Sequence, residues 1–242
     1  YARLVDEGTL LVGVTHVYYQ TGYKQDLRAL ADLVHSRGSY LLVDAYQSAG
    51  TCPLDVQALD IDILTTGNLK YLLGVPGIAF IYVQPEVAAA LQPTAAGWFG
   101  QADPFAFLLK KVAYAPSARR LEGGTPPVMA AFAARAGMEL IRQVGVERIA
   151  QHIDYLSAYC LQGALDRGLK VVSPLDVRKK GAITAIQVPG DAHAVERALR
   201  ERGVVTAARG PVIRIAPHFF NTTAELEAAL DALAAVLETG SP

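Results

Sequence analysis

Asp44 and Lys70 carry reactive groups at positions where a ligand would meet them. Asp44 closes the apolar run Tyr40-Leu41-Leu42-Val43, and Lys70 follows a second run, Ile61-Asp62-Ile63-Leu64-Thr65-Thr66, through Gly67-Asn68. Both runs read as buried strands. Ligands of open α/β sheets bind outside the carboxyl ends of the strands, so two parallel neighbours would aim Asp44 and Lys70 at one crevice. A lysine amine there can form a Schiff base with an aldehyde. The two groups could also be a plain ion pair, a common and weak feature near strand ends.

The flanking words favour the first reading. V-D-A-x-Q-x-x-G spans Val43–Gly50, and a turn carrying Lys70 leads into L-L-G-x-x-G at Leu72–Gly77. Together they resemble the pyridoxal phosphate site of the class V aminotransferase superfamily, which includes cysteine desulfurases, selenocysteine lyases, kynureninases and isopenicillin N epimerase-like proteins. The resemblance extends over nearly the whole chain. It implies an α/β architecture of the type I pyridoxal-phosphate-dependent transferase fold. Residues 1–145 would form part of the large domain with a mainly parallel sheet. Residues 146–242 would form a linking helix and a small α+β domain. It also implies roles: Lys70 as the Schiff-base lysine, Asp44 beside the pyridine nitrogen, Gln47 on the phenolic oxygen of the ring. A carboxylate at that nitrogen keeps it protonated, which is what makes the cofactor an electron sink. Thr66 could offer its hydroxyl to the cofactor phosphate. Asn68 and Leu69 depart from the S-G-H-K form found in desulfurases.

The elements that must position these residues are legible as patterns. Thr9–Tyr18 is strand-like and ends at the turn signal Tyr19-Gln20-Thr21-Gly22. His16 lies within it and reads as a satisfied structural histidine. Asp26 can cap a helix whose Leu27, Leu30, Ala31 and Val34 fall on one face, with Gly38 as the stop. Desulfurases carry N-N-E-T-G in the turn after the first strand, where this chain has Tyr18-Tyr19; kynureninases place a tyrosine there. Gly74 and Gly77 permit positive φ and close backbone approach. Ile78–Val83 reads as another buried strand, and Pro85 opens a short helix in the first turn, where its missing N–H costs nothing.

Three further stretches stand out. Gly97-Trp98-Phe99-Gly100 holds the one tryptophan of the chain. It resembles a kynureninase segment whose aromatic lies near the substrate, and a subunit contact would explain it equally well. R-x-E-x-G-T-P, at Arg120–Pro126, precedes a long apolar helix over Val128–Val144, which Thr125 would cap with Pro126 at its first position. In the family this threonine reaches the cofactor phosphate of the neighbouring subunit, which implies a homodimer with its active site at the interface. Finally, R-x-x-P-H-x-x-N-T at Arg214–Thr222 resembles the closing motif of the family, and assigns Arg214 to the substrate α-carboxylate. An arginine fork is planar, always charged and bidentate. A second long helix is expected over Val146–Gly168, with Cys160 as a core residue. Strands follow at Leu169–Val172, Ala182–Val188, Val204–Thr206 and Val212–Ala216. Helices are expected at Ala192–Arg202 and Thr223–Leu237, the last with a capping box from Thr222 to Glu225 and a stripe of Leu226, Leu230, Leu233 and Leu237.

Composition excludes several classes. The 242 residues are 52% hydrophobic and 19% charged with net charge −1, an ordinary globular profile with no basic footprint for nucleic acid. No apolar run reaches membrane-span length. Two cysteines make neither a disulfide framework nor a metal spacing, so no metal is expected and a reducing cytoplasm is the default. The chain opens at Tyr1 and enters a strand almost at once, whereas class V enzymes carry a long preceding stretch; it reads as the carboxyl-terminal portion of a longer polypeptide. Residues 201–213 hold no cysteine, which disfavours a persulfide-forming desulfurase. The leading expectation is a pyridoxal 5'-phosphate-dependent aminotransferase or lyase acting on a small α-amino acid. The alternatives are a kynureninase-like hydrolase, a selenocysteine or cysteine β-lyase, and a non-catalytic fragment or degenerate relative.

Overall fold

The apolar runs become strands of a four-stranded sheet. In the computed structural model, which describes residues 1–107 and 111–239, β1 is Leu11–Thr15, β2 is Tyr40–Asp44, β3 is Ile63–Gly67 and β4 is Ala79–Val83. They lie in the order β1-β2-β3-β4, the first two pairs parallel and β4 antiparallel to β3. The register sets Thr15 opposite Asp44 and Asp44 opposite Thr65, so Asp44 sits at the carboxyl ends of three adjacent strands. Between β1 and β2 runs α1 (Leu27–His35), whose Asp26 cap accepts from Ala29 N at 3.0 Å. Its Leu27, Leu30, Ala31 and Val34 pack with Val12, Val14, Leu41 and Val43. Each of these leucine and valine side chains contributes about 1.5–3 kcal/mol on burial. At the opposite end of the strands, the Asp62 Oδ2 accepts the Leu41 amide at 2.7 Å and lies 2.8 Å from His35 Nε2, which ties α1, β2 and the start of β3 together.

The first strand is shorter than the pattern predicts. It stops at Thr15, so His16 lies beyond the ladder rather than inside it. The chain turns on itself there: Val17 bridges Lys24, and Tyr18 N donates to Tyr23 O at 2.8 Å. After β4 comes α2 (Pro85–Ala90), with Pro85 at its first position.

Then α3 spans Val128–Val144. Thr125 does not cap it. Ala131 N donates to Pro127 O at 3.0 Å, which makes Pro127 the residue at the helix start. A residue before proline is held out of the α region, so Pro126 cannot be helical and the helix waits for Val128.

A second, antiparallel sheet has the order β5-β6-β8-β7, with β5 Lys170–Val171, β6 Thr184–Gln187, β7 Ala207–Arg209 and β8 Val212–Ile215. It is covered by α4 (Val146–Asp166), α5 (Ala192–Glu201) and α6 (Thr223–Glu238). Leu156, Cys160, Ile186, Val195, Leu199, Ile213, Leu230 and Leu233 form its core. Cys160 and Cys52 are both free thiols. The strand expected at Val204–Thr206 begins later, at Ala207. Gly203, at φ +79, ends α5, and Val204 N turns back to Leu199 O at 2.9 Å, so the residues before Ala207 are spent on the connection. The capping box on α6 is present, and its buried stripe closes on Val236 with Leu237 half-buried beside it.

Two compact units result. The first comprises Tyr1–Thr15, Asp26–Tyr46 and Leu54–Leu140; the second comprises His16–Gln25, Gln47–Pro53 and Ile141–Pro242. Among the described residues, no helix is long and apolar enough to cross a membrane, and no cluster of His, Cys, Asp or Glu could hold a metal ion.

Candidate active site

The carboxyl ends of β2 and β3 frame a crevice of about 500 Å³, lined by Asp44, Tyr46, Thr65, Thr66, Gly67, Leu69, Gly77, Ile78 and Ala79. Its floor is built locally. Asp44 accepts the Tyr46 amide on Oδ1 at 2.8 Å, which turns the chain sharply after the strand. The Tyr46 ring then lies beneath Lys70, whose Nζ is 4.3 Å from the ring centroid. That cation–π contact contributes about 0.5–1 kcal/mol and holds the ammonium against the Tyr46 ring. Gly67 makes room for the ring: a Cβ there would stand 1.8 Å from Tyr46 Cε2. Thr66 is buried, with Oγ1 donating to the Gly67 carbonyl at 2.9 Å.

The turn bearing Lys70 is tightly wound. Gly74 N donates to Asn68 O at 2.7 Å, and Leu73 N to Lys70 O at 3.0 Å. The positive φ of +57° falls on Leu73, not on Gly74; Gly74 instead provides close approach, since a Cβ there would lie 2.6 Å from the Asn68 carboxamide. Gly77 does take a positive φ, +105°. The Asn68 side chain is fully buried, and neither carboxamide atom has a hydrogen-bond partner among the described residues. α3 braces the turn from outside through Gly137, where a Cβ would meet Leu72 O at 2.4 Å.

The other candidates fall into three places. Trp98 and Thr125 belong to adjoining segments of the first unit. A Cβ on Gly97 would strike Gly123 O at 2.0 Å, one on Gly100 would strike Arg120 O at 2.7 Å, and Arg119 Nη2 donates to Gln101 O at 2.7 Å. The two sequence motifs are therefore one structure, with Arg120 buried beneath them and donating to the carbonyls of Ala115, Ala89 and Leu91. Trp98 is partly exposed at the edge of an aromatic group with Phe99, Phe105 and Phe107. Gln47 is buried and belongs to the second unit. Arg214 stands in β8 opposite Ala185 and Ala207, and its Nη1 donates to the main-chain carbonyl of Tyr19.

Asp44 and Thr66 thus line one crevice, and Lys70 lies against the Tyr46 ring that also lines it. Tyr46, Gly67 and Gly137 were not anticipated. Gly137, an isolated glycine in a helical pattern, was the one with a readable signal.

Two buried bases flank other parts of the second unit. Burial, with Lys24 as a second cause, pushes His16 down to about 4, so it is neutral. Burial lowers Lys180 to about 8. Burial also raises the Cys52 thiol, which makes it a poor nucleophile.

The family model described as aminotransferase class-V matches residues 1–225. The chain belongs to the class V aminotransferase family. Among class V relatives, it is 41% identical over 237 residues to a Bacillus subtilis protein named as the uncharacterized aminotransferase YcbU, covering 97% of this chain and 62% of that one. It is 30% identical over 218 residues to the kynureninase of Pseudomonas fluorescens, covering 87% of this chain and 51% of that one. The apo cysteine desulfurase of Thermococcus onnurineus superposes with a TM-score of 0.87 at 23% identity, over 96% of this chain and 61% of that chain. So does a C-DES mutant with glycine covalently linked to its PLP cofactor, at a TM-score of 0.87 and 20% identity, over 96% and 62%. The fold is that of the type I pyridoxal-phosphate-dependent transferases, and the chain spans between about half and three-fifths of these relatives' lengths.

Proposed function

We propose that this chain contributes the lysine-bearing part of a pyridoxal phosphate-dependent enzyme, an aminotransferase or lyase that acts on an α-amino acid. The observation that carries this reading is a crevice at the carboxyl ends of β2 and β3 lined by Asp44, Thr66 and Tyr46, with Lys70 Nζ 4.3 Å from the Tyr46 ring centroid. The donor set fits the cofactor: an amine for its aldehyde, a carboxylate for its ring nitrogen, and a hydroxyl for its phosphate. The crevice is within the size range of small-molecule sites. When bound, pyridoxal phosphate supplies an aldehyde for a Schiff base and a protonated ring that draws electrons from the substrate α-carbon.

In this reading each residue has a task. Lys70 Nζ attaches the cofactor and later carries the proton to and from the substrate α-carbon. Tyr46, whose ring centroid lies 4.3 Å from that amine and which lines the crevice, would steady it. Asp44 holds the proton on the ring nitrogen, and Gln47 hydrogen-bonds the phenolic oxygen. Thr66 serves the phosphate, and Thr125 serves the phosphate of a second subunit in a homodimer. Arg214 takes the substrate α-carboxylate as a fork, and Trp98 borders the substrate. The cytoplasm is the compartment that suits two free thiols.

A kynureninase-like hydrolase is the second reading, favoured by the 30% identity to the Pseudomonas fluorescens enzyme. A cysteine-borne persulfide is disfavoured, because Cys160 is sealed in the core of α4 and residues 201–213 contain no cysteine. The test uses the full-length natural protein. Its visible spectrum is recorded before and after borohydride reduction, and the label is located by mass spectrometry. A yellow protein labelled on Lys70 is expected; a colourless protein that cannot be reconstituted would sink the reading in favour of a non-catalytic relative. Kynurenine, cysteine and selenocysteine are then offered. Anthranilate selects the hydrolase, sulfide or selenide the β-lyase, and turnover of an amino acid plus a keto acid alone selects the aminotransferase.

A further inference from the structure

The antiparallel sheet of the second unit stops short of what its register allows. Ala207 of β7 faces Arg214 of β8, so a longer ladder would set Thr206 opposite Ile215, Val205 opposite Ala216 and Val204 opposite Pro217. Two features stop it there. Val204 N is turned back to Leu199 O at 2.9 Å around Gly203, at φ +79, and Pro217 has no amide hydrogen to donate. The six residues left out of the ladder line a pocket of about 420 Å³ instead, with Leu226 and Ala229 of α6 also on its wall. That volume is within the range of small-molecule sites. Val205 is 81% exposed and leaves its methyl groups in water.

Two opposite charges share this alkyl lining. Arg202 enters it from the end of α5 and Glu225 from the first turn of α6. No ion pair joins them, and the Arg202 guanidinium has no partner among the described residues. Glu225 Oε2 accepts the Thr222 amide at 2.7 Å and also bonds the Asn221 and Thr222 side chains. That amide holds the carboxyl below the usual carboxylate range, and Oε1 takes none of these bonds. A pocket whose two charges do not neutralise each other is matched by a ligand carrying both. A carboxylate suits the guanidinium fork, an ammonium suits the carboxylate, and an alkyl group covers Val205, Ile215 and Leu226. A simple acid or amine leaves one charge unmet. We propose that this pocket is a second ligand site, for a free α-amino acid with an aliphatic side chain. It shares no residue with the crevice at Asp44. It is also distinct from the Arg214 face of β8, because neighbours alternate across a strand and Ile213 and Ile215 point into the helix-covered core.

The test places the ligand directly on the full-length protein and needs no turnover. A leucine analogue with a diazirine in its side chain is irradiated with the protein, and adducts are located by mass spectrometry. Adducts within residues 202–206 and 225–229 are expected, and excess leucine should suppress them. 4-Methylpentanoate and isopentylamine, each with one of the two charges on the same branched chain, are expected to compete about fivefold more weakly or worse, the upper scale of an exposed ion pair. Arg202→Gln and Glu225→Gln are each expected to weaken leucine by about the same factor. Glutamine at position 225 keeps the capping box of α6. Adducts only outside the two stretches, adducts that leucine does not suppress, or equal competition by all three compounds overturn the site. If a variant does not fold, the adduct map and the competitor ranking of the wild type decide. Colour and borohydride labelling at Lys70 report the catalytic reading separately, so either can fail without the other.

Discussion

Lys180 shows what a single buried charge does to this chain. Its Nζ donates to Ser157 Oγ, Ser157 O and Gly181 O, all neutral acceptors, and it is 1% exposed. Burial lowers it to about 8 from 10.5, while Cys160 and Asp154 pull the other way. Between those two pH values the unfolded chain binds the proton and the folded chain does not. Stability must therefore rise with pH from about 8 to about 10.5, by about 3 kcal/mol from this residue. Denaturant titrations across that range should show the slope, and Lys180→Met should remove it. His16 gives the opposite limb. Its folded value is about 4 against 6.5, so the stability present above pH 6.5 is lost as pH falls toward 4, again by about 3 kcal/mol. His16→Asn should flatten that acid limb. The sequence marked His16 as a structural histidine but gave no sign of its shifted titration, and nothing in it singled out Lys180 as buried. Asp44 and Lys70 drew notice through the motif words around them, since by residue type alone they read equally as an ion pair. Tyr46 did not, because nothing in V-D-A-Y-Q says that the ring folds beneath a lysine further along the chain.

Helix ends were readable where one side chain decides them and misread where the backbone decides. Asp26 and Thr222 cap α1 and α6 as their sequences predict. Thr125 does not cap α3, because two consecutive prolines delay the helix to Val128. Thr222→Ala should thus cost about 1 kcal/mol of stability, whereas Thr125→Ala should change it by less than about 0.5 kcal/mol. Any loss of cofactor affinity in the second variant then reports a contact with ligand rather than a damaged helix; paired melts and spectral titrations separate the two. Gly137 makes the same point about α3. Placing alanine in a helix normally gains up to about 1 kcal/mol. Here the new methyl would meet the main chain of Leu72, so Gly137→Ala should destabilise by about 1–3 kcal/mol. It should also displace the turn that carries Lys70, read as a lowered rate of borohydride labelling at that residue. The strand borders moved for a related reason. Thr9–Tyr18 and Val204–Thr206 are apolar enough for strands, but hydrogen bonds local to the turns claim the ends.

At the scale of the molecule, cofactor binding and folding should be linked. If Lys70 and the crevice hold pyridoxal phosphate, the ligand at a hundred times its dissociation constant stabilises the full-length protein by about 2.7 kcal/mol. A thermal melt should shift upward accordingly, and Lys70→Ala should shrink the shift. Most strands of the two sheets were legible as apolar runs, and the family was legible through the motifs around Asp44, Lys70 and Arg214. The interleaving was not: no break in composition marks His16–Gln25 or Gln47–Pro53 as belonging with residues beyond Ile141. That interleaving constrains inheritance. A chain severed after Leu140 would release a carboxyl-terminal piece stripped of the turn to which Arg214 is bonded, and of the strand partner of residues 179–181. The second unit is no cassette to be exchanged between relatives by recombination at one crossover. An exchange of the second unit between relatives would need matching changes in three separate stretches at once, His16–Gln25, Gln47–Pro53 and the residues from Ile141 onward.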